Sequence, residues 1–549
     1  MAKLNSIVAG VRRSIADKAF ELRVLKEAGI IGGTRPDKAL RIGATFLRWG
    51  ASPATGIATA AIKHPDEPAL IDERGSLTFA ELQRRSNALA HAFRGMGIGP
   101  GDGIGIMCRN HRGFVEATLA SAKLGASALY LNTMFAGPQL VEVMSREAPK
   151  ALVYDEEFAA LLDGVDDSVE RIVAWTDGQP QGATLDSLIA ANGVANLKPP
   201  PDKPRFVILT SGTTGTPKGA QRSSPDGLLA LAALIDKIPY RAGDKMVIAA
   251  PLFHSWGFSH FVMALPTGST LVLRRRFDPE ETLRAVQEHR AEVLAVVPVM
   301  IQRILQLPEE TLRSYDLSSL RVTALSGSAL PGELAIAWMD RFGDSIYNLY
   351  GSTEVAYATV ATPEDLRAAP GTAGRPPYGT VVKIFDEGGK EVPQGEVGRI
   401  FVGNAMAFEG YTGGGSKEAI EGLLSSGDVG HIDADGHLFI DGRDDEMIVS
   451  GGENVFPREV EDLLADHAAV VEVAVIGVED GEFGQRLKAF VVVAAEAEVS
   501  EEELKGHVKT HLAGYKAPRE VEFLDELPRN ATGKVLKKDL AAREAQKSA

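Results

Sequence analysis

The feature that most restricts how this chain folds is an alternation, sustained from about residue 68 to 355, of short apolar β-branched runs with helical patterns. Such alternation is the signature of parallel sheets flanked by helices. One unit displays the logic. Thr78-Phe79-Ala80-Glu81 reads as a capping box, the helix it opens ends at the glycines around Gly95 and Gly97, and 103–108 follows as a buried strand. A helix over 113–124 and a strand over 128–131 come next, and the runs 206–209, 247–250, 270–273, 293–297, 322–325 and 346–349 continue the series.

Two changes of texture divide the rest. Between 381 and 402 helices give way to short strands and turns, which suggests a β-rich subdomain closing the large one. Near Gly442 the pattern becomes compact α+β, with helices over 458–466 and 501–511 and strands over 471–477 and 487–493. The expected architecture is therefore α/β and α+β, multidomain. An N-terminal extension covers 1–60, a large domain of two α/β subdomains plus the β-rich one covers 61–442, and a small α+β domain covers 443–549, with the boundary at 443–446. A chain of 549 residues is long enough to bury a large core over several such units. No internal repeat is seen, and Gly413-Gly414-Gly415 reads as a surface loop.

A formal net charge of -16 argues against a nucleic-acid partner, whose phosphates require clustered Lys and Arg, and favours small-molecule chemistry. The one cysteine, Cys108, excludes an internal disulfide and a cysteine-based metal site, and it reads as a buried strand residue in a protein of the reducing cytoplasm. No apolar run reaches 18 residues and the N-terminus lacks a secretory pattern, so neither a membrane span nor export is expected.

Charge is nevertheless uneven: residues 1–50 hold ten Lys or Arg against four Asp or Glu. At 100° per residue, Leu4, Ile7, Val8, Val11, Ile15, Leu22 and Leu25 fall within an arc of roughly 100°, an amphipathic helix stopped near Gly29. Two readings stand level: peripheral contact of residues 4–25 with an anionic membrane surface, or packing on the protein's own body or on a second subunit of a homodimer.

The sharpest local feature is Thr210-Ser211-Gly212-Thr213-Thr214-Gly215-Thr216-Pro217-Lys218-Gly219, directly after the strand 206–209. Hydroxyls, glycine-exposed amides and a lysine suit a polyphosphate, because each supplies donors and none adds negative charge. It is not a Walker loop, since Pro217 stands where that pattern needs glycine.

These ten residues resemble the phosphate loop of the adenylate-forming family, which includes acyl-CoA synthetases, aryl-CoA ligases, luciferases and amino-acid adenylation domains. The rest of the chain, over roughly 60–540, agrees in order and spacing. Tyr350-Gly351-Ser352-Thr353-Glu354 resembles the adenine-stacking and magnesium-binding segment, and Ser426-Gly427-Asp428 the ribose-binding motif with serine for the usual threonine. Gly442-Arg443-Asp444-Asp445 and Ser450-Gly451-Gly452-Glu453-Asn454 look like the interdomain hinge and the coenzyme-facing loop. Arg529-Asn530-Ala531-Thr532-Gly533-Lys534 resembles the loop that carries the catalytic lysine.

The resemblance implies ATP, Mg2+ and coenzyme A as cofactor and co-substrates. Bringing a carboxylate to the α-phosphate opposes two anions, roughly 4 kcal/mol for each unit-charge pair at 4 Å and an effective dielectric of 20. Lys534 is implied to bridge carboxylate and α-phosphate, while Glu354 holds magnesium with help from Lys218 and the loop that opens at Thr210. Asp428 and Arg443 take the ribose, Tyr350 offers its face to adenine, and Ser328 joins the nucleotide site. Asp445 is the implied hinge about which a mobile C-terminal domain rotates to offer first Lys534, then the Gly451-Gly452 loop; Lys516, in Gly514-Tyr515-Lys516-Ala517-Pro518, lines the coenzyme path.

Pro251-Leu252-Phe253-His254-Ser255-Trp256-Gly257-Phe258 resembles the gating motif in which the histidine borders the acid pocket. From 246 to 273 there is no Lys, Arg, Asp or Glu, so an apolar acid is expected, and the aspartate that pairs an amino-acid substrate is absent. Phe258 stands where long-chain relatives carry a gate tryptophan. The expected reaction is activation of a medium- or long-chain fatty acid, with transfer to coenzyme A. An aryl acid is the runner-up, and a non-catalytic membrane-associated lipid-binding protein and a luciferase-like oxygenase are the alternatives from other classes.

Overall fold

The computed structural model describes all residues except 1, 211–217, 224–226, 407, 409, 412–415, 451–452, 481–483, 495–496, 531–532 and 549, and leaves out the side chains of 2–14, 210, 218–223, 445, 449–450, 453–454, 484, 546 and 548. The glycine cluster at 413–415 lies outside the described residues.

The alternating region forms two sheets. One has eight strands in the order Thr359–Ala361, Ile346–Tyr350, Val322–Leu325, Val293–Val296, Lys245–Ile248, Thr270–Leu273, Pro68–Asp72, Gly75–Thr78, parallel except at its two outer pairs. The other has six, Glu170–Trp175, Ala151–Asp155, Gly103–Met107, Ser127–Tyr130, Arg205–Thr210 and Lys218–Ser223, parallel except for the last pair. One continuous apolar core, from Ile104 and Phe114 to Val247 and Val296, joins them. Helix Arg112–Leu124 is buried along its whole length. Its polar groups are therefore partnered: Glu116 pairs with Arg85, and Lys123, whose pKa burial drives well down, donates to Gln83, Ser86 Oγ and Asn87 Oδ1.

The capping box forms as the sequence predicts, with Thr78 and Glu81 exchanging hydrogen bonds ahead of helix Phe79–Gly95. Cys108 is fully buried one residue past its strand, and burial pushes its thiol well up from the ordinary range, which removes it from chemistry. Strands Val381–Phe385, Gly398–Gly403, Ala419–Ile420, Leu423–Ile432 and Leu438–Arg443 form the third, antiparallel sheet. The chain then crosses the single turn Asp444–Glu446 into a fourth sheet, which begins at Ile448–Ser450.

Before the first strand come three helices, α1 (Ala2–Glu27), α2 (Pro36–Trp49) and α3 (Pro53–Lys63). α3 is largely buried across residue 60, so the extension is anchored in the large body by its third helix. α1 stops at Gly29, φ +73°, where the sequence places its end. Its inward face is another matter. Val24, Leu25 and Ala28 are buried, Phe20 stacks on Tyr378 at 3.9 Å and Arg23 pairs with Asp236, whereas Ile15 and Leu22 of the predicted stripe are exposed. The buried arc lies roughly a third of a turn from the stripe and shares only Leu25 with it. The stripe over 4–11 lies among the undescribed side chains. Leu25→Ala is expected to cost about 2–5 kcal/mol in urea unfolding and Leu22→Ala close to nothing; equal costs would place the stripe itself against the body.

Candidate active site

In open α/β sheets ligands gather outside the carboxyl ends of the strands. Here Val293–Val296, Val322–Leu325 and Ile346–Tyr350 lie side by side and parallel, and deliver to one edge Val297, the turn holding Ser328, and the loop from Tyr350 to Val355.

Tyr350, Asp428 and Arg443 are brought together although 93 positions separate the first from the last. Asp428 and Arg443 stand directly opposite each other on antiparallel strands, and Arg443 Nη1 donates to Asp428 Oδ1 at 3.2 Å. The Tyr350 hydroxyl donates to Asp428 Oδ2 at 2.5 Å. Burial first, then the Asp428 charge, pushes that hydroxyl well above its ordinary range, so it stays protonated and donating. Ser426 fixes the turn: its hydroxyl accepts from Asp428 N and donates to the Ile400 carbonyl.

The following loop is folded hard back on itself. A Cβ on Gly351 would sit 2.2 Å from the Ala356 carbonyl oxygen, and Ala356 itself adopts φ +59°. Only glycine fits at 351. Asn404 holds the return, donating to the Val355 carbonyl at 2.7 Å and the Tyr357 carbonyl at 2.6 Å. Glu354 is thereby presented with one oxygen on Ser352 Oγ at 3.0 Å and the other on the Tyr411 hydroxyl at 2.7 Å. Neutral hydroxyls leave lone pairs on both carboxylate oxygens. A single oriented carboxylate of this kind fits Mg2+, a hard cation that keeps most of its water and takes the rest of its ligands from phosphates.

Lys534 is exposed beside a tight turn, where Asn530 N donates to the Lys534 carbonyl, Lys534 N donates to Asn530 Oδ1 and Gly533 has φ +78°. The turn is pressed onto the large body. A Cβ on Gly533 would lie 2.2 Å from Val299 Cγ1, and one on Gly327 would lie 3.5 Å from Val297 Cγ1, so the Lys534 turn and the Ser328 turn flank the same short segment. Gln302 donates to the Val471 carbonyl at 3.1 Å beside them.

Thr210 and Lys218 are register partners at the end of an antiparallel pair. Ser211, Gly212, Thr213, Thr214 and Gly215 lie outside the described residues, as do Gly451 and Gly452. Lys516 donates to Glu459 at 2.6 Å on the small domain. The flanks of Asp445 are each pinned: Asp444 to Arg399 at 3.0 Å, and Glu446 to Lys537 at 3.1 Å.

His254 caps helix Ser255–Thr267, with its Nε2 shut from solvent and without a hydrogen-bond partner among the described residues. Burial drives its pKa down to about 4, as it does that of His260, which accepts from the Tyr240 hydroxyl at 2.9 Å. Next to it Phe258 packs on Tyr130 at 4.9 Å and Phe206 at 5.3 Å between ring centroids.

Asn404 and Tyr411 are not legible as site residues in the sequence. Asn404 follows a strand with no motif around it. Tyr411 stood next to glycines that read as a surface loop.

This geometry gathers Tyr350, Asp428 and Arg443 at the junction of an α/β body with an antiparallel sheet, next to the start of the small domain. Residues 57–412 match the AMP-binding enzyme family and residues 459–534 the AMP-binding enzyme C-terminal domain. The chain is 34% identical to a feruloyl-CoA synthase of Amycolatopsis sp over 85% of its own length and 94% of the relative's. It is 31% identical to a fatty acid–acyl-carrier-protein ligase of Streptomyces coeruleorubidus, covering 87% and 94%. The structure of an anthranilate CoA ligase in complex with anthranoyl-AMP superposes with a TM-score of 0.80 at 27% identity, over 90% of this chain and 96% of that one. The chain belongs to the AMP-binding enzyme family. It is an AMP-forming acid–CoA ligase, with ATP and coenzyme A as substrates.

Gly351→Ala is expected to lower kcat/KM on the order of a hundredfold, by displacing Glu354 and Tyr350 by about an ångström; near-wild-type kinetics would mean the loop has room. Because His254 titrates at about 4 when folded and at 6.5 when unfolded, stability is lost as pH falls through that window. His254→Gln should therefore lose about 1 kcal/mol less per pH unit between about pH 6 and 5 than the parent; equal slopes would show a solvated ring.

Proposed function

We propose that the acid activated is a medium- or long-chain fatty acid, converted through its acyl-adenylate to the acyl-CoA in the cytoplasm. The observation that carries this reading is the charge-free wall about His254: residues 246–273 hold no Lys, Arg, Asp or Glu, and Leu252, Phe253, Phe261 and Met263 among them are buried. An apolar chain desolvates there at no polar cost, about 0.8 kcal/mol gained per methylene. The neutral His254 adds no charge to it. The fatty acid–acyl-carrier-protein ligase among the relatives supports the same class.

In the first half-reaction a carboxylate oxygen attacks the α-phosphorus and the bond to pyrophosphate breaks. Lys534 bridges carboxylate and α-phosphate, offsetting their repulsion. Tyr350 offers its face to adenine, while Asp428 and Arg443 take the ribose beside Ser328. Glu354 holds Mg2+, which supplies charge neutralisation for the departing pyrophosphate, and the loop from Thr210 to Lys218 binds the phosphates. In the second, the coenzyme A thiol attacks the acyl carbon and AMP leaves. Rotation at Asp445 exchanges Lys534 for the Gly451-Gly452 loop, with Lys516 along the coenzyme path; pinning of Asp444 and Glu446 to opposite sides supports a swivel at the residue between them.

A second reading, an aryl acid, is favoured by the aromatic cluster of Tyr130, Phe206 and Phe258, the last of them four residues past His254, which would offer aromatic faces to a ring. The feruloyl-CoA synthase among the relatives agrees with it. ATP–pyrophosphate exchange over C4 to C20 fatty acids, benzoate, cinnamate and amino acids separates the two. Exchange rising with chain length supports the fatty acid, and exchange confined to benzoate and cinnamate overturns it in favour of the aryl acid. Lys534→Ala should lose 10² or more in adenylate formation while keeping thioester formation from supplied acyl-adenylate; equal loss in both steps would refute the division of labour.

A further inference from the structure

Residues 1–50 precede the family match, which begins at 57, and take no part in the site. Their net charge of +6, within a chain of -16, leaves -22 on the remaining residues. The molecule is thus electrically polarised, with a basic pole at its N-terminal helices.

α2 turns apolar residues outward, and so does α1. In α2 the partly covered residues Lys38, Ile42, Thr45 and Trp49 fall within an arc of roughly 60° toward α3. Leu40 and Leu47 stand opposite that arc and are 77% and 90% exposed, with Phe46 exposed at the edge. Arg41 and Arg48 flank the leucines on one side, both exposed. No residue of α2 is fully buried, and the outward leucines take no part in its packing on α3. α1 repeats the arrangement, since Ile15 and Leu22 are 64% and 56% exposed while its other face is buried.

An outward apolar stripe flanked by arginines is the pattern of a helix lying in a membrane interface, the leucines entering the acyl boundary and the cations meeting anionic headgroups. The acidic body would be repelled by such a surface in any orientation that did not lead with this pole. We propose that α2, assisted by the outer stripe of α1, docks the enzyme on an anionic phospholipid bilayer. The proposal does not depend on which acid is activated.

The test is cosedimentation of the full-length protein with phosphatidylcholine vesicles, with and without phosphatidylglycerol, alongside analytical ultracentrifugation without lipid. The parent should bind the anionic vesicles only, and binding should fall as salt rises. The exposed-site variant Leu40→Glu/Leu47→Glu should lose binding by at least about tenfold, and Arg41→Ala/Arg48→Ala on the order of thirtyfold at roughly fivefold per arginine, both with parental unfolding curves and ATP–pyrophosphate exchange. Absence of parent binding, or binding unchanged in Leu40→Glu/Leu47→Glu, would overturn the proposal. So would a parent dimer that this variant dissolves, because the stripe would then be covered by a second copy.

Discussion

The carboxylate of Asp428 is the point on which the nucleotide site depends, because three strands from two sheets converge there. Tyr350 reaches it from the end of a strand in the eight-stranded sheet, and Arg443 reaches it across the ladder of the antiparallel sheet. Hydrogen bonds to a charged acceptor are worth about 1.5–3 kcal/mol each; the one from Tyr350 ties the β-rich subdomain to the large α/β body, and the one from Arg443 stays within the antiparallel sheet. Arg443 is also the last residue before the turn into the small domain. One side chain thus joins the residues proposed for the sugar to the residue that precedes this turn.

Around that point the proposed site residues are held by fixed contacts of the chain itself. Glu354 is aimed by a loop that glycine alone permits and Asn404 ties down, and the lysine turn is seated by Gly533 against Val299. Neither contact is covalent. Among the described residues, the small domain meets the large one at Gly533 on Val299, at Phe456 beside Gly442 and through the Gln302–Val471 hydrogen bond. The pins on Asp444 and Glu446 belong to different sides of Asp445.

Much of this was legible in the sequence for physical reasons. Strands such as 293–297 and 322–325 are buried on both faces and so read as unbroken apolar runs, and Thr78 with Glu81 announced a helix start. Order and spacing of five motifs marked Tyr350, Asp428, Arg443 and Lys534 as one site. The inward face of α1 was not legible, because Phe20, Asp17 and Arg23 use stacking and ion pairing that a hydrophobic stripe does not register. α2 carries a clear stripe, yet periodicity alone does not say whether protein or something else covers it. Asn404 acts on backbone carbonyls, and that role leaves no pattern in its neighbours.

The central claim is that the acid's own oxygen is transferred to the α-phosphate. Turnover of an apolar acid labelled with oxygen-18 in its carboxylate, followed by mass spectrometry of the nucleotide and phosphate products, tests it directly. The account requires one labelled oxygen in each AMP and none in pyrophosphate. Unlabelled AMP, or label in an orthophosphate released with ADP, would contradict it.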